Sequence, residues 1–157
     1  MPDIGEQAPD FTLLTDGDGS LTLSELKGAP VVLYFYPKDD TSGCTKQACG
    51  FKDAMAAFDK IGVKVIGMSP DSVKRHDKFK AKYDLNFPLV SDEEKETLDR
   101  YGVWVEKSMY GRKYMGVERS TFLLDGDGVV RALWRKVKVP GHVDAVLEAA
   151  KDLKADA

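Results

Sequence analysis

Cysteine and histidine are scarce in this sequence. The 157-residue chain has two of each, Cys44 and Cys49, His76 and His142. So few ligands exclude a disulfide framework, and the histidines lack the close spacing of a zinc finger. No Cys-x-x-Cys is present, which argues against an ordinary thiol–disulfide exchanger. No apolar run approaches the roughly 20 residues that a membrane helix needs. The opening MPDIGEQAPDF has neither a basic n-region nor an apolar h-region. The expectation is therefore a cytoplasmic protein whose thiols are kept reduced. Neither charge sign dominates, since 23 Lys and Arg against 26 Asp and Glu leave a net −3. Nothing in that balance draws nucleic acid or an anionic membrane. Internal repeats, low-complexity tracts and linkers are also missing, so one domain over 1–157 is expected.

What is present alternates between strand and helix patterns. FTLL (11–14), the turn DGDGS and LTLSELKG read as a short strand, a turn and one helical turn. VVLYFY (31–36) is a continuous apolar run stopped by Pro37, which fits a strand buried on both faces. From Cys44, the positions Cys44, Ala48, Phe51, Met55 and Phe58 step by four and three, an amphipathic helix with Gly62 as its stop. VKVIGMS (63–69) is the next buried strand. SVKRHDKFKAKYDL (72–85) is a charged helix with Val73, Phe79 and Tyr83 inward. FPLVSD (87–92) reads as a short strand and EEKETLDRYG (93–102) as a helix. GVERSTFLL (116–124) and GVVRALWRK (128–136) flank DGDG (125–128), a hairpin signal. Pro140 and Gly141 introduce a last helix with Val143, Val146, Leu147 and Ala150 inward. The order predicts an α/β layer fold with antiparallel strands added by the hairpin. The segment Trp104 to Gly116 shows no clean period and reads as a packed connection rather than a binding loop. His76, in a charged helix, and His142, near a helix start, read as solvated or capping residues.

Four readings compete for the cysteine pair. A permanent staple over so short a loop removes little unfolded-state entropy. Zinc lacks ligands, and two buried inert thiols are the bland alternative. Reactivity leads, because Cys44 falls in the first turn of a helix that follows a buried strand. Unpaired backbone N–H groups and the positive end of the helix dipole stabilise a thiolate there. Asp39 and Asp40 oppose that thiolate if they lie close, so a cation is needed to offset them. In an α-helix, residues five apart have Cα atoms roughly 8.7 Å apart, beyond the about 7 Å that a disulfide spans. Pairing Cys44 with Cys49 therefore requires the first turn to come undone.

Pro37, Thr41 and Cys44 in PKDDTSGC match the P-x-x-x-T-x-x-C signature of the peroxiredoxins. Cys49, five residues on, resembles the bacterioferritin comigratory protein branch, also called the peroxiredoxin Q type. APDFTL, VVLYFYP, VIGMSPDS, FPLVSD and RSTFLLDGDGVV extend the likeness over nearly the whole chain. The resemblance implies a thioredoxin-like fold, with a central mixed sheet flanked by helices and an N-terminal extension. It implies reduction of hydrogen peroxide and organic hydroperoxides without metal or organic cofactor. Cys44 would be the peroxidatic thiolate and Cys49 the resolving thiol, and thioredoxin or glutaredoxin would reduce their disulfide. Thr41 would hydrogen-bond the thiolate and peroxide, Pro37 would shield the pocket, and Arg119 would face the thiolate. A monomer or weak dimer is implied. Ser42, where the family often has proline, and Gln47, where it commonly has glutamate, depart from the pattern. A redox-sensing or chaperone-like protein using the same disulfide switch is the rival function class, and turnover with peroxide separates the two.

Overall fold

The computed structural model describes residues 1–155. Its strands and helices follow in the order β1 (Thr12–Thr15), β2 (Ser20–Thr22), β3 (Val31–Phe35), α1 (Ser42–Lys60), β4 (Lys64–Ser69), α2 (Val73–Tyr83), β5 (Leu89–Ser91), α3 (Glu96–Arg100), β6 (Trp104–Met109), β7 (Arg112–Val117), β8 (Ser120–Leu124), β9 (Val130–Trp134) and α4 (His142–Ala155). Seven strands make one mixed sheet in the order β2-β1-β5-β4-β3-β8-β9. β3, β4 and β5 are parallel, while β8 and β9 on one side and β1 and β2 on the other are antiparallel. The N-terminal strands thus extend the sheet at one edge.

β3 is central, and all five of its residues are buried. Its alternation splits them between two cores. Val32 and Tyr34, followed by Tyr36, pack with Cys44, Ala48, Phe51, Met55 and Phe58 of α1, Phe79 of α2, and Val146 and Ala150 of α4. Val31, Leu33 and Phe35 pack on the opposite face with Phe11, Leu23, Leu98, Tyr101 and Phe122. The apolar spacing of α1 is thereby explained, since each of its five inward residues is buried. At roughly 1.5–3 kcal/mol for a buried large apolar side chain, this stripe is what fixes α1 over β3. Cys44 consequently lies just beyond the carboxyl end of β3, where parallel sheets leave room for a site.

Three sequence expectations need correction. Trp104 to Gly116 is a second, two-stranded antiparallel sheet, β6 with β7, and not an irregular packed connection. The strand expected from Gly116 is accordingly divided, with β7 ending at Val117 and β8 starting at Ser120. The helix expected over 93–102 shrinks to Glu96–Arg100, because Lys95 takes a left-handed conformation and Asp92 accepts a hydrogen bond from the Leu98 N–H. The hairpin around DGDG forms as expected, with Asp125 Oδ1 accepting from the N–H groups of Asp127 and Val129.

Candidate active site

α1 starts at Ser42, which places Cys44 in its first turn, among N–H groups that have no helical partner. Cys44 is only 1% exposed. Its Sγ accepts a hydrogen bond from Arg119 Nη2 at 3.2 Å. The other Arg119 amino nitrogen, Nη1, donates to Gln47 Oε1 at 2.6 Å. Arg119 sits between β7 and β8, and its carbonyl oxygen accepts from the Val137 N–H. Arg119 thus reaches Cys44 across 75 residues of sequence and places a cation beside its sulfur.

The guanidinium lies close over the helix start. A Cβ built on Gly43 would stand 3.2 Å from Arg119 Nη2, so a side chain there would push the arginine aside. The neighbouring acid does not compete for Arg119. Glu118 is buried and bound to Arg135, whose Nε and Nη2 donate to Oε2 at 2.9 and 2.8 Å. Gln47 is fully buried and its Nε2 has no hydrogen-bond partner among the described residues. The amide therefore takes the arginine hydrogen bond that a glutamate would take, without adding a negative charge beside the sulfur.

Thr41 directly precedes α1 and has extended backbone angles. Its hydroxyl donates to the Lys38 carbonyl at 2.9 Å and caps no helical N–H. Pro37 follows β3 and is half-buried. Neither residue hydrogen-bonds Cys44 here. Cys49 lies inside α1, partly exposed, and both cysteines are free thiols. With α1 continuous through both positions, their Cα atoms stand roughly 8.7 Å apart by helix geometry.

Sequence reasoning missed the company that the loop before Cys44 keeps. Asp39 and Asp40 do not face the sulfur. Asp40 turns to α2, where Lys82 Nζ and the Tyr83 hydroxyl donate to its carboxylate at 2.8 and 2.7 Å. Those two bonds hold the Asp40 carboxyl below its ordinary value. Asp39 is buried against His76 with 2.6 Å between Oδ2 and Nδ1. His76 is thus neither solvated nor a cap, but fully buried. The available signal was its place three residues from both Val73 and Phe79, on the inward face of α2. His142 is buried too, with its Nε2 2.8 Å from the Thr121 hydroxyl. Burial, helped by the Arg119 charge, pulls His142 down to about 4, so it is neutral at pH 7. β6 adds Lys107, which burial and then the charge of Arg119 hold below its ordinary value.

The chain as a whole has counterparts among known proteins. Residues 4–133 match the AhpC/TSA family. The chain is 54% identical over 145 residues to a putative peroxiredoxin bcp of Coxiella burnetii, covering 92% of this chain and 96% of that one. It is 46% identical over 151 residues to the peroxiredoxin Bcp of Bacillus subtilis, covering 96% of each. Among solved structures it is similar to the Xanthomonas campestris bacterioferritin comigratory protein, with a TM-score of 0.91 and 46% identity over 97% of this chain and 99% of that one. A Xylella fastidiosa PrxQ mutant superposes with a TM-score of 0.92 at 39% identity, covering 97% of both chains. With such neighbours the mixed sheet and its flanking helices are a thioredoxin-type fold. The chain belongs to the AhpC/TSA family, among its Bcp or peroxiredoxin Q members, and is a thiol-dependent peroxidase.

Proposed function

We propose that Cys44 is the thiol that reacts with hydroperoxide and that Cys49 resolves the product. The Cys44 thiolate attacks the distal peroxide oxygen and breaks the O–O bond, giving Cys44 sulfenic acid and an alkoxide or hydroxide that takes up a proton. The Cys49 thiol then displaces water from the sulfenic acid to form the disulfide. A dithiol such as thioredoxin or glutaredoxin returns two electrons and two protons. The sum is hydroperoxide plus dithiol to alcohol or water, water and disulfide. One observation carries this reading: the buried Cys44 Sγ lies 3.2 Å from Arg119 Nη2 at the start of α1.

Ionisation alone does not make such a thiol fast. A free thiol is about 3% thiolate at pH 7, so complete ionisation gains roughly thirtyfold. Part of that is lost to the lower nucleophilicity of a less basic sulfur. Larger acceleration needs the peroxide held in line, with donors at its oxygens. Arg119, the Thr41 hydroxyl and the free N–H groups of Gly43 and Cys44 are the groups for that task, and Pro37 limits water at the pocket. The chain acts as one domain, as a monomer or weak dimer, without metal or organic cofactor.

Steady-state peroxide consumption with thioredoxin or glutaredoxin as reductant tests the reading. Sustained turnover of hydrogen peroxide and an organic hydroperoxide is expected. A protein that oxidises once and then stops would be a redox switch instead.

A further inference from the structure

The loop that leads into the reacting cysteine is held from behind by a closed polar network. Asp39, two residues before Thr41, is fixed at three points. Its Oδ1 accepts from the Tyr36 hydroxyl at 2.5 Å, and its Oδ2 lies 2.6 Å from His76 Nδ1. Its backbone N–H donates to Asp71 Oδ2 at 2.7 Å. His76 Nε2 is 2.9 Å from the Val90 carbonyl. Asp71 is in turn held by the Ser69 hydroxyl and by Arg75, at 2.7 and 2.9 Å.

A carbonyl oxygen only accepts, so Nε2 of His76 carries a proton. With a carboxylate at Nδ1 as well, the surroundings favour a positive charge on the ring. Burial opposes that charge, but the hydrogen bond and charge of Asp39 and the Val90 carbonyl outweigh it and raise His76 above its ordinary value. Ligand atoms of Asp39, Asp71 and His76 lie within 4.8 Å of one another, a spacing a metal could use. Each of those atoms is already engaged, so the cluster is a closed clamp and not an open coordination site.

We propose that Asp39 and His76 are positioning residues for the reaction at Cys44. This rests on the peroxidase chemistry assigned above to that thiol. The pair pins the inner side of the loop while Asp40, at a left-handed φ of 60°, is tied to Lys82 and Tyr83 on α2. Two successive carboxylates are thereby drawn away from the sulfur, and the chain is delivered to Thr41 and the first turn of α1 in one conformation. Asp39 and His76 hydrogen-bond neither Cys44 nor Arg119, so they act through the placement of Thr41 and of the Gly43 and Cys44 N–H groups. A displacement near 1 Å at such groups can cost about a hundredfold in rate.

The test uses the full-length Cys49→Ser protein as parent, so that only the first step is read. Its rate with hydrogen peroxide is compared with its rate with iodoacetamide, at one pH. Both reactions need the Cys44 thiolate, but only the first needs the aligned loop, so their ratio cancels the thiolate fraction. Asp39→Ala and His76→Phe should lower the ratio roughly 10- to 100-fold. Asp39→Asn, nearly isosteric and left with one acceptor oxygen, should fall about threefold. If the first two do not fold, the asparagine variant decides. A ratio unchanged in any folded variant of the three overturns the inference, because a purely structural clamp would lower thermal stability alone. A parent that reacts with peroxide no faster than free cysteine would instead overturn the proposed chemistry of Cys44, whatever the variants do.

Discussion

Under the proposed chemistry, resolution of a Cys44 sulfenic acid by Cys49 requires α1 to open, and Gly50 gives a handle on that step. The helix runs unbroken from Ser42 to Lys60 with both thiols inside it. Disulfide formation must therefore uncoil the stretch from about Thr41 to Gly50, releasing the buried Cys44, Gln47 and Ala48. Gly50 lies at the end of that stretch, and alanine favours helix over glycine by about 1 kcal/mol. Replacing it alone is ambiguous, because an alanine Cβ would stand 3.1 Å from Val143 Cγ2. Val143→Ala removes that atom. The clean comparison is therefore Gly50→Ala/Val143→Ala against Val143→Ala. The double variant should open less readily, and about 1 kcal/mol corresponds to roughly fivefold slower disulfide formation after one equivalent of peroxide. Its sulfenic acid should also persist longer and over-oxidise more readily to sulfinic acid. Hydrogen exchange supplies the structural readout. Amides over 41–50 should exchange faster in the disulfide form, while Val31–Phe35 and the helix beyond Met55 stay protected. A double variant that resolves as fast as Val143→Ala, or unchanged protection over 41–50 in a verified disulfide, would mean that the disulfide forms without opening α1.

Two further outcomes follow from the surroundings of Arg119. Gln47→Glu places a carboxylate at the position that accepts from Arg119 Nη1 at 2.6 Å, so the ratio of thiolate to thiol at Cys44 should fall by up to about tenfold, measured by thiolate absorbance across a pH titration in a Cys49→Ser background. Neutral His142 makes the fold acid-sensitive. Its folded value of about 4 lies below its ordinary 6.5, so the unfolded chain binds the extra proton and stability falls as pH drops through 6.5 towards 4. By linkage the loss is on the order of 2 kcal/mol at pH 5. His142→Asn should remove that slope in denaturant titrations at pH 7 and pH 5. An equal slope in both proteins would place the acid sensitivity elsewhere. The raised His76 acts with the opposite sign, adding stability below 6.5 that is lost as pH rises through its folded value.

Elements that bury a face were legible in the sequence. VVLYFY is buried on both sides of the sheet, and the four-and-three spacing from Cys44 to Phe58 marks the buried stripe of α1. The β6–β7 hairpin was not legible because it has little core to bury. Met109, Tyr110, Tyr114 and Met115 are all exposed, Tyr110 to 99%, so no period of two separates inside from outside. Its turn also hides, since Tyr110 and Gly111 both take positive φ where Asn-Gly or Asp-Gly is the usual signal. For the site, the motif indicated Pro37, Thr41 and Cys44, and the resemblance pointed to Arg119. The Arg119 contact with Cys44 is a matter of tertiary folding that spacing cannot show. The Asp39–His76 pair was hidden for a different reason: both residues lie in charged stretches, where solvation is the ordinary expectation.

On the proposed chemistry Cys44 reacts first and Cys49 second, and intact-mass analysis after one equivalent of hydrogen peroxide reads that order. Cys49→Ser should consume one peroxide per chain and gain one oxygen atom at Cys44, while the unaltered protein loses two hydrogens to a Cys44–Cys49 disulfide. Cys44→Ser should leave peroxide and protein mass unchanged. A Cys44→Ser protein that consumes peroxide at the rate of the unaltered chain would show that Cys44 is not the reacting thiol.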